Sequence, residues 1–187
     1  MERLPTRLGG PVLVRPRVLG DARGFFVESY RESVLAEFGV TDTFIQDNHS
    51  RSARGVLRGM HFAIGEGSAK LVRCARGAIV DVLVDLRRGS PTFGEWEAFE
   101  LDDENLCALY VPVGFAHGFC VTSEVADVLY KQSQYYDPSV EREISYDDPD
   151  VGIEWPAGLA LQVSDRDRDA PRLRDVAADL PFAYTGR

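Results

Sequence analysis

Lysine is nearly absent from this 187-residue chain: of its 21 basic residues nineteen are Arg, leaving only Lys70 and Lys131. Basic charge as a whole is short, because 30 acidic residues bring the formal net charge to −9, which argues against a nucleic-acid or anionic-membrane partner. No stretch approaches the roughly 20 apolar residues of a membrane span, and Met1 to Pro5 open no apolar leader core, so a cytoplasmic location is expected. Cysteine is scarce too. Cys74, Cys107 and Cys120 are odd in number, scattered and set in apolar sequence, a pattern that favours buried free thiols over a disulfide framework or a thiolate metal site. Long helical periodicity is also missing. One short helix is expected over residues 29–38, with Ser29 as N-cap, Val34, Leu35 and Phe38 as its apolar side, and Gly39 as its stop.

What is present is strand. Residues 71–74, 78–86, 96–101, 106–111, 119–122 and 125–130 are short β-branched or aromatic runs separated by turn signals such as Arg76-Gly77 and Pro112-Val113-Gly114. Turns at intervals of about 8–12 residues predict an all-β sandwich or jelly-roll barrel. With 44% hydrophobic residues, the length suits one domain with a sizeable core. We expect a barrel over residues 40–155 and an appendage over 156–187, the latter carrying the Asp165 to Asp169 charge run and a helix over 173–180.

Charge is segregated along the chain. Arg51, Arg54, Arg58, Lys70, Arg73 and Arg76 face only Glu66 between residues 51 and 76, a local excess of +5 that suits an anionic ligand. The alternative is a solvated basic face paired with the acidic stretch at 141–154. His61 lies in this window and His49 two residues before it, the third histidine being His117 in Pro112-Val113-Gly114-Phe115-Ala116-His117. That P-x-G-x-x-H word is like the second motif of metal-binding cupins, whose first motif needs an H-x-H pair. His61-Phe62-Ala63 supplies one His, so no metal is expected. A metal-free His at a barrel mouth is a general base or a satisfied core residue, and Arg58, three residues before His61, favours the base beside a phosphate-holding fork.

The ordered words Asp21-Ala22-Arg23-Gly24-Phe25-Phe26-Val27-Glu28, Gln46-Asp47-Asn48-His49-Ser50, Gly55-Val56-Leu57-Arg58-Gly59-Met60-His61, Lys70-Leu71-Val72, Pro112 through Phe119, Tyr130-Lys131, Asp147-Asp148-Pro149, and Ser164 through Asp167 to Pro171 span most of the chain. In them the sequence resembles the dTDP-4-dehydrorhamnose 3,5-epimerases, the RmlC-like sugar-nucleotide epimerases of cupin fold. The resemblance implies a reaction without metal or other cofactor on a nucleotide-linked 4-keto-6-deoxyhexose: dTDP-4-dehydro-6-deoxy-D-glucose inverted at C3 and C5 to dTDP-4-dehydro-L-rhamnose. A carbon beside a ketone loses its proton to form an enolate, so inversion needs a base, an acid on the other face, and a group at the enolate oxygen. By resemblance these are His61, oriented by Asp167, then Tyr130, and Lys70 aided by His117. Arg58 is matched to the diphosphate and Tyr136 to stacking on the base. Gln46, Asn48, Glu141 and Arg166 match further binding positions. Arg23 and Glu28 are implied to reach a partner's nucleotide through an exchanged N-terminal strand of a homodimer.

Two departures stand out. Residues 62–69 lack the Gln and Pro usual in relatives between the His and the Lys, and Arg166 stands where relatives commonly have Lys. Because the 62–69 loop follows the proposed base, it is expected to bear on sugar specificity and on whether one or both carbons are inverted. A single-centre 3- or 5-epimerase of another deoxysugar pathway and a non-catalytic nucleotide-sugar-binding cupin are the alternatives.

Overall fold

Strand formation follows the two-residue alternation wherever one face must be buried, as in Gln46–Ala53, where even-numbered residues are the less exposed. The computed structural model describes residues 1–186. Thirteen strands occur among the described residues: β1 (Glu2–Leu4), β2 (Val12–Arg15), β3 (Val18–Asp21), β4 (Gly24–Val27), β5 (Gln46–Ala53), β6 (Leu57–Ala63), β7 (Lys70–Arg76), β8 (Ala78–Asp85), β9 (Trp96–Asp102), β10 (Ala108–Val111), β11 (Phe115–Val121), β12 (Val125–Gln132) and β13 (Glu141–Glu143). Three short helices join them: α1 (Glu32–Glu37), α2 (Asp165–Arg168) and α3 (Leu173–Val176). One sheet runs β1-β2-β10-β7-β12-β5, a second runs β13-β6-β11-β8-β9, and β3 and β4 form a separate hairpin.

The two large sheets bury their facing sides against each other. Val72, Leu109, Ala126 and Val128 from one meet Leu83, Phe99, Phe119 and Val121 from the other. The all-β, cupin-type jelly-roll expectation holds. The outer face of the second sheet is covered too, since Met60, Phe62, Val82, Val84 and Ala116 pack against Ile144, Leu173, Leu180 and Phe182. Strand β8 therefore buries apolar residues on both faces, which explains the Ala78–Asp85 run, interrupted only by Asp81 before Asp85 ends it. On the first sheet, Leu35 of α1 covers Val12, Val14, Leu71 and Tyr110.

Several boundaries differ from the sequence expectation. The first helix begins at Glu32, and its N-cap is Arg31, without a side-chain cap, in place of Ser29. Strand β11 starts at Phe115 and so includes His117, because Pro112 and Gly114 shape only the turn before it. Leu106 has φ 52 and belongs to the turn before β10, not to the strand. The expected 173–180 helix breaks into α3 and a 3-10 turn at Ala177–Asp179. All three cysteines are free and buried.

Candidate active site

Arg58 and His61 lie three apart on β6, a spacing that in a regular strand would send them to opposite faces. Here the pairing of β6 with β11 slips: His117 opposes His61, but Phe119 opposes Arg58, so two residues of β6 face one of β11. The bulge resets the alternation, and both side chains reach the same cavity. Glycine permits it. A Cβ on Gly118 would come within 2.6 Å of Met60 Sδ, and one on Gly59, at φ +148, within 2.5 Å of Gly118 Cα.

This cavity, about 460 Å³, lies at the barrel mouth and gathers Arg58, His61, Lys70, His117, Tyr130, Arg166 and Asp167. His61 Nε2 lies 2.7 Å from Asp167 Oδ1. A carboxylate can only accept, so Nε2 carries the proton and Nδ1 holds the basic lone pair. Asp167 is only 3% exposed. Burial pushes its carboxyl upward, but hydrogen bonds and charge from His61, with further bonds from Gly59 and Ser164, outweigh this and leave it below the usual value. The C-terminal arm delivers it. Gln162 N–H donates to Gly55 and Leu57 N–H to Gln162, at 2.8 and 2.9 Å, pinning the arm to the start of β6. Ser164 then caps α2 by accepting from Asp167 N–H at 3.1 Å.

Across the cavity wall, Tyr130 and Lys70 project inward from β12 and β7. Burial raises the Tyr130 phenol above 10.0, Glu141 and Tyr136 add to this and Arg58 opposes it, so the hydroxyl keeps its proton at neutral pH. Burial pulls the Lys70 ammonium below 10.5, while the charges of Glu141 and Asp81 pull it back up. Asp81 is fully buried, and its Oδ2 lies 2.9 Å from His117 Nε2. Each histidine thus has its own carboxylate, the third being His49 with Asp127 at 3.2 Å. Among the described residues no three His, Cys, Asp or Glu side chains converge as metal ligands.

The remaining expected residues divide. Arg58 Nε donates to Ser52 Oγ at 3.1 Å, which braces the guanidinium in the cavity wall. Arg166 pairs with Glu143. Gln46 and Asn48 face inward on β5, and Glu141 on β13 bears electrostatically on both Lys70 and Tyr130. Tyr136 is exposed beside them. Arg23, at the tip of the β3–β4 hairpin, pairs with Asp21 outside the cavity, and Glu28 pairs with Arg31 beside a separate 340 Å³ cleft. His49 points to the outer sheet face and takes no part. None of the six cations of the basic window pairs with a carboxylate of 141–154 among the described residues; Arg51 pairs with Asp127. Nor does the 62–69 loop line the main cavity. Its residues border a different one of about 250 Å³.

Reading the sequence missed Asp81, Gln132, Ser52 and the N-cap Ser164. Asp81 had a signal, a carboxylate inside the apolar run 78–86. Asp167, set in the Asp165 to Asp169 charge run, is one of the least exposed residues of the site.

Comparison with known proteins identifies the family. The family described as dTDP-4-dehydrorhamnose 3,5-epimerase matches residues 5–175. A dTDP-4-dehydrorhamnose 3,5-epimerase of Pseudomonas aeruginosa is 50% identical over 174 residues, covering 91% of this chain and 96% of the relative. A dTDP-4-dehydrorhamnose 3-epimerase of Streptomyces niveus is 43% identical, covering 94% and 86%. The crystal structure of a dTDP-6-deoxy-D-glucose-3,5-epimerase from Legionella pneumophila, in complex with dTDP-4-keto-L-rhamnose, superposes with a TM-score of 0.95 at 42% identity, covering 99% of each chain. On a match of this length and identity, the chain belongs to the dTDP-4-dehydrorhamnose 3,5-epimerase family.

Proposed function

We propose that this protein inverts C3 and C5 of dTDP-4-dehydro-6-deoxy-D-glucose to give dTDP-4-dehydro-L-rhamnose. The observation that carries the reading is the His61–Asp167 pair opening into a cavity that also holds Tyr130 and Lys70. His61 Nδ1 takes the proton from the carbon beside the ketone, and Asp167 stabilises the imidazolium that results. Negative charge passes to the C4 oxygen, where Lys70 supplies a compact ammonium beside His117, whose ring Asp81 holds in place. Tyr130 returns a proton to the opposite face of the carbon. Arg58 holds the diphosphate, with Arg166, Glu141, Gln46, Asn48 and Tyr136 along the nucleotide half.

Arg23 and Glu28 complete the site of a partner subunit through the β3–β4 hairpin. In support, that hairpin leaves Val18 and Phe25 exposed on one face and Leu19 and Phe26 on the other, with Phe26 at 69%, and apolar side chains bared on both faces of a two-stranded hairpin mark an interface. Its proposed occupant is a second copy of the chain. Sedimentation should find a dimer, and Phe25→Ser with Phe26→Ser should shift it to monomer; a wild-type monomer overturns the exchange.

The Streptomyces niveus 3-epimerase supports a second reading, inversion at C3 alone. Incubation with the keto-sugar nucleotide in D₂O, with chelator present, separates the two: deuterium at C3 and C5 for the first, at C3 only for the second. Exchange at neither carbon overturns both.

A further inference from the structure

The inner ends of β5 and β12 carry three side-chain amides in contact. Gln132 is 4% exposed and sits in register between Gln46 on one neighbouring strand and Lys70 on the other. Its Oε1 accepts from Gln46 Nε2 at 3.1 Å and from Asn48 Nδ2 at 2.8 Å. Gln46 Nε2 gives its other hydrogen to Asn48 Oδ1 at 2.9 Å. Gln46 Oε1 in turn accepts the Tyr136 backbone N–H at 2.9 Å. Turning the Gln46 amide over would set its oxygen against the two acceptors Gln132 Oε1 and Asn48 Oδ1, and its nitrogen against the Tyr136 donor. The orientation of Gln46 is therefore fixed from both ends, and the buried anchor of the set is a residue of β12.

We propose that Gln132 is a positioning residue: its carbonyl oxygen locks the amides of Gln46 and Asn48 and, through Gln46, holds the main chain at Tyr136 for the nucleotide. The inference rests on the reading that Gln46, Asn48 and Tyr136 form the nucleotide half of the site. Gln132→Met keeps the length of the side chain and removes the acceptor, leaving two half-buried donors facing a thioether. Those donors turn elsewhere, and the Tyr136 segment loses its anchor. The reacting carbons are served by His61, Tyr130 and Lys70, so the loss falls on binding.

The test is calorimetric titration of the intact protein with dTDP, together with steady-state kinetics. Gln132→Met should raise the Kd for dTDP and the KM for the sugar nucleotide by about tenfold, while kcat stays within about threefold of wild type. In a double-mutant cycle, Gln132→Met should cost much less once Gln46→Met has already cut the link to Tyr136. Should Gln132→Met fail to fold, Gln132→Ser, too short to reach either amide, must show the same rise. Wild-type Kd in the variant, a fall in kcat with Kd unchanged, or full additivity with Gln46→Met overturns the proposal alone. A wild-type protein with no affinity for dTDP overturns the nucleotide reading and the proposal with it.

Discussion

Lys70 is one of two lysines in a chain that otherwise uses Arg, and it is the one at the reaction cavity. An ammonium delivers a point charge to one oxygen, whereas a guanidinium spreads its charge over a planar fork. Lys70→Arg should therefore lower kcat by about a hundredfold or more despite keeping the charge; activity near wild type would contradict the role given to the ammonium. The pH profile carries the same signature. Burial sets Lys70 below 10.5 and Tyr130 above 10.0, so the alkaline fall in kcat/KM should begin below pH 10.5 with loss of the Lys70 proton. In the residual activity of Lys70→Arg that fall should move upward, because a guanidinium holds its proton beyond a pKa of about 12. His61 and Lys70 were legible in the sequence because short motifs frame them. The pairing of Asp81 was not: its partner His117 comes from a strand 36 residues on, and only the β8–β11 register brings the two together.

Elements carry the next layer of the account. The sequence shows Arg58 and His61 on one strand, but the reason both face the cavity is a bulge, and a bulge exists only in the pairing with β11. Helix α2 is similar. Asp-Arg-Asp-Arg has no apolar periodicity and reads as an exposed charge run, yet the turn buries Asp167 because Ser164 caps it and the preceding arm is pinned to β6. Ser164→Ala should cost about 1 kcal/mol in a denaturant melt. It should also reduce kcat more than KM, since the cap fixes the carboxylate that orients His61. Unchanged kcat would mean that the arm alone positions Asp167. Strands were more readily legible than these features because two-sided burial leaves long, largely apolar runs such as β8, whereas β5, with alternate polar residues facing the barrel mouth, carries little hydrophobic signal.

Over the whole molecule, the barrel is tied to both ends of the chain through Asp85. Arg87 donates to both of its oxygens, at 2.9 and 2.7 Å, and Ser90 and Thr92 hydroxyls add bonds of 2.6 and 2.7 Å. Arg87 also reaches the Gly9 carbonyl at 2.8 Å, and the neighbouring Arg88 backbone pairs with Phe182 and Tyr184. Burial pushes the Asp85 carboxyl up, but the bonds from Arg87, Ser90 and Thr92 bring it below 3.8. Asp167 is lowered likewise. Between the folded and unfolded values the unfolded chain binds more protons, so the stability these groups contribute is complete above about pH 3.8 and drains away as pH falls below it. Urea midpoints followed from pH 7 to 3 should show that loss. Asp85→Asn should cost about 3 kcal/mol at neutral pH and give a shallower decline in acid; a parallel decline would assign the acid sensitivity elsewhere.

The −9 charge of the chain is an average over an acidic body and a mouth where Arg58, Lys70 and Arg166 line one cavity with His61 and Tyr130. That mouth is the basis for assigning acid–base inversion of a nucleotide sugar, and solvent exchange reads it most directly. With dTDP-4-dehydro-6-deoxy-D-glucose in D₂O, the wild-type protein should place deuterium at C3 and C5 in the presence of chelator, and His61→Ala should place it at neither. Exchange that survives His61→Ala would contradict His61 as the base, and a wild-type protein that exchanges neither position would contradict the assignment itself.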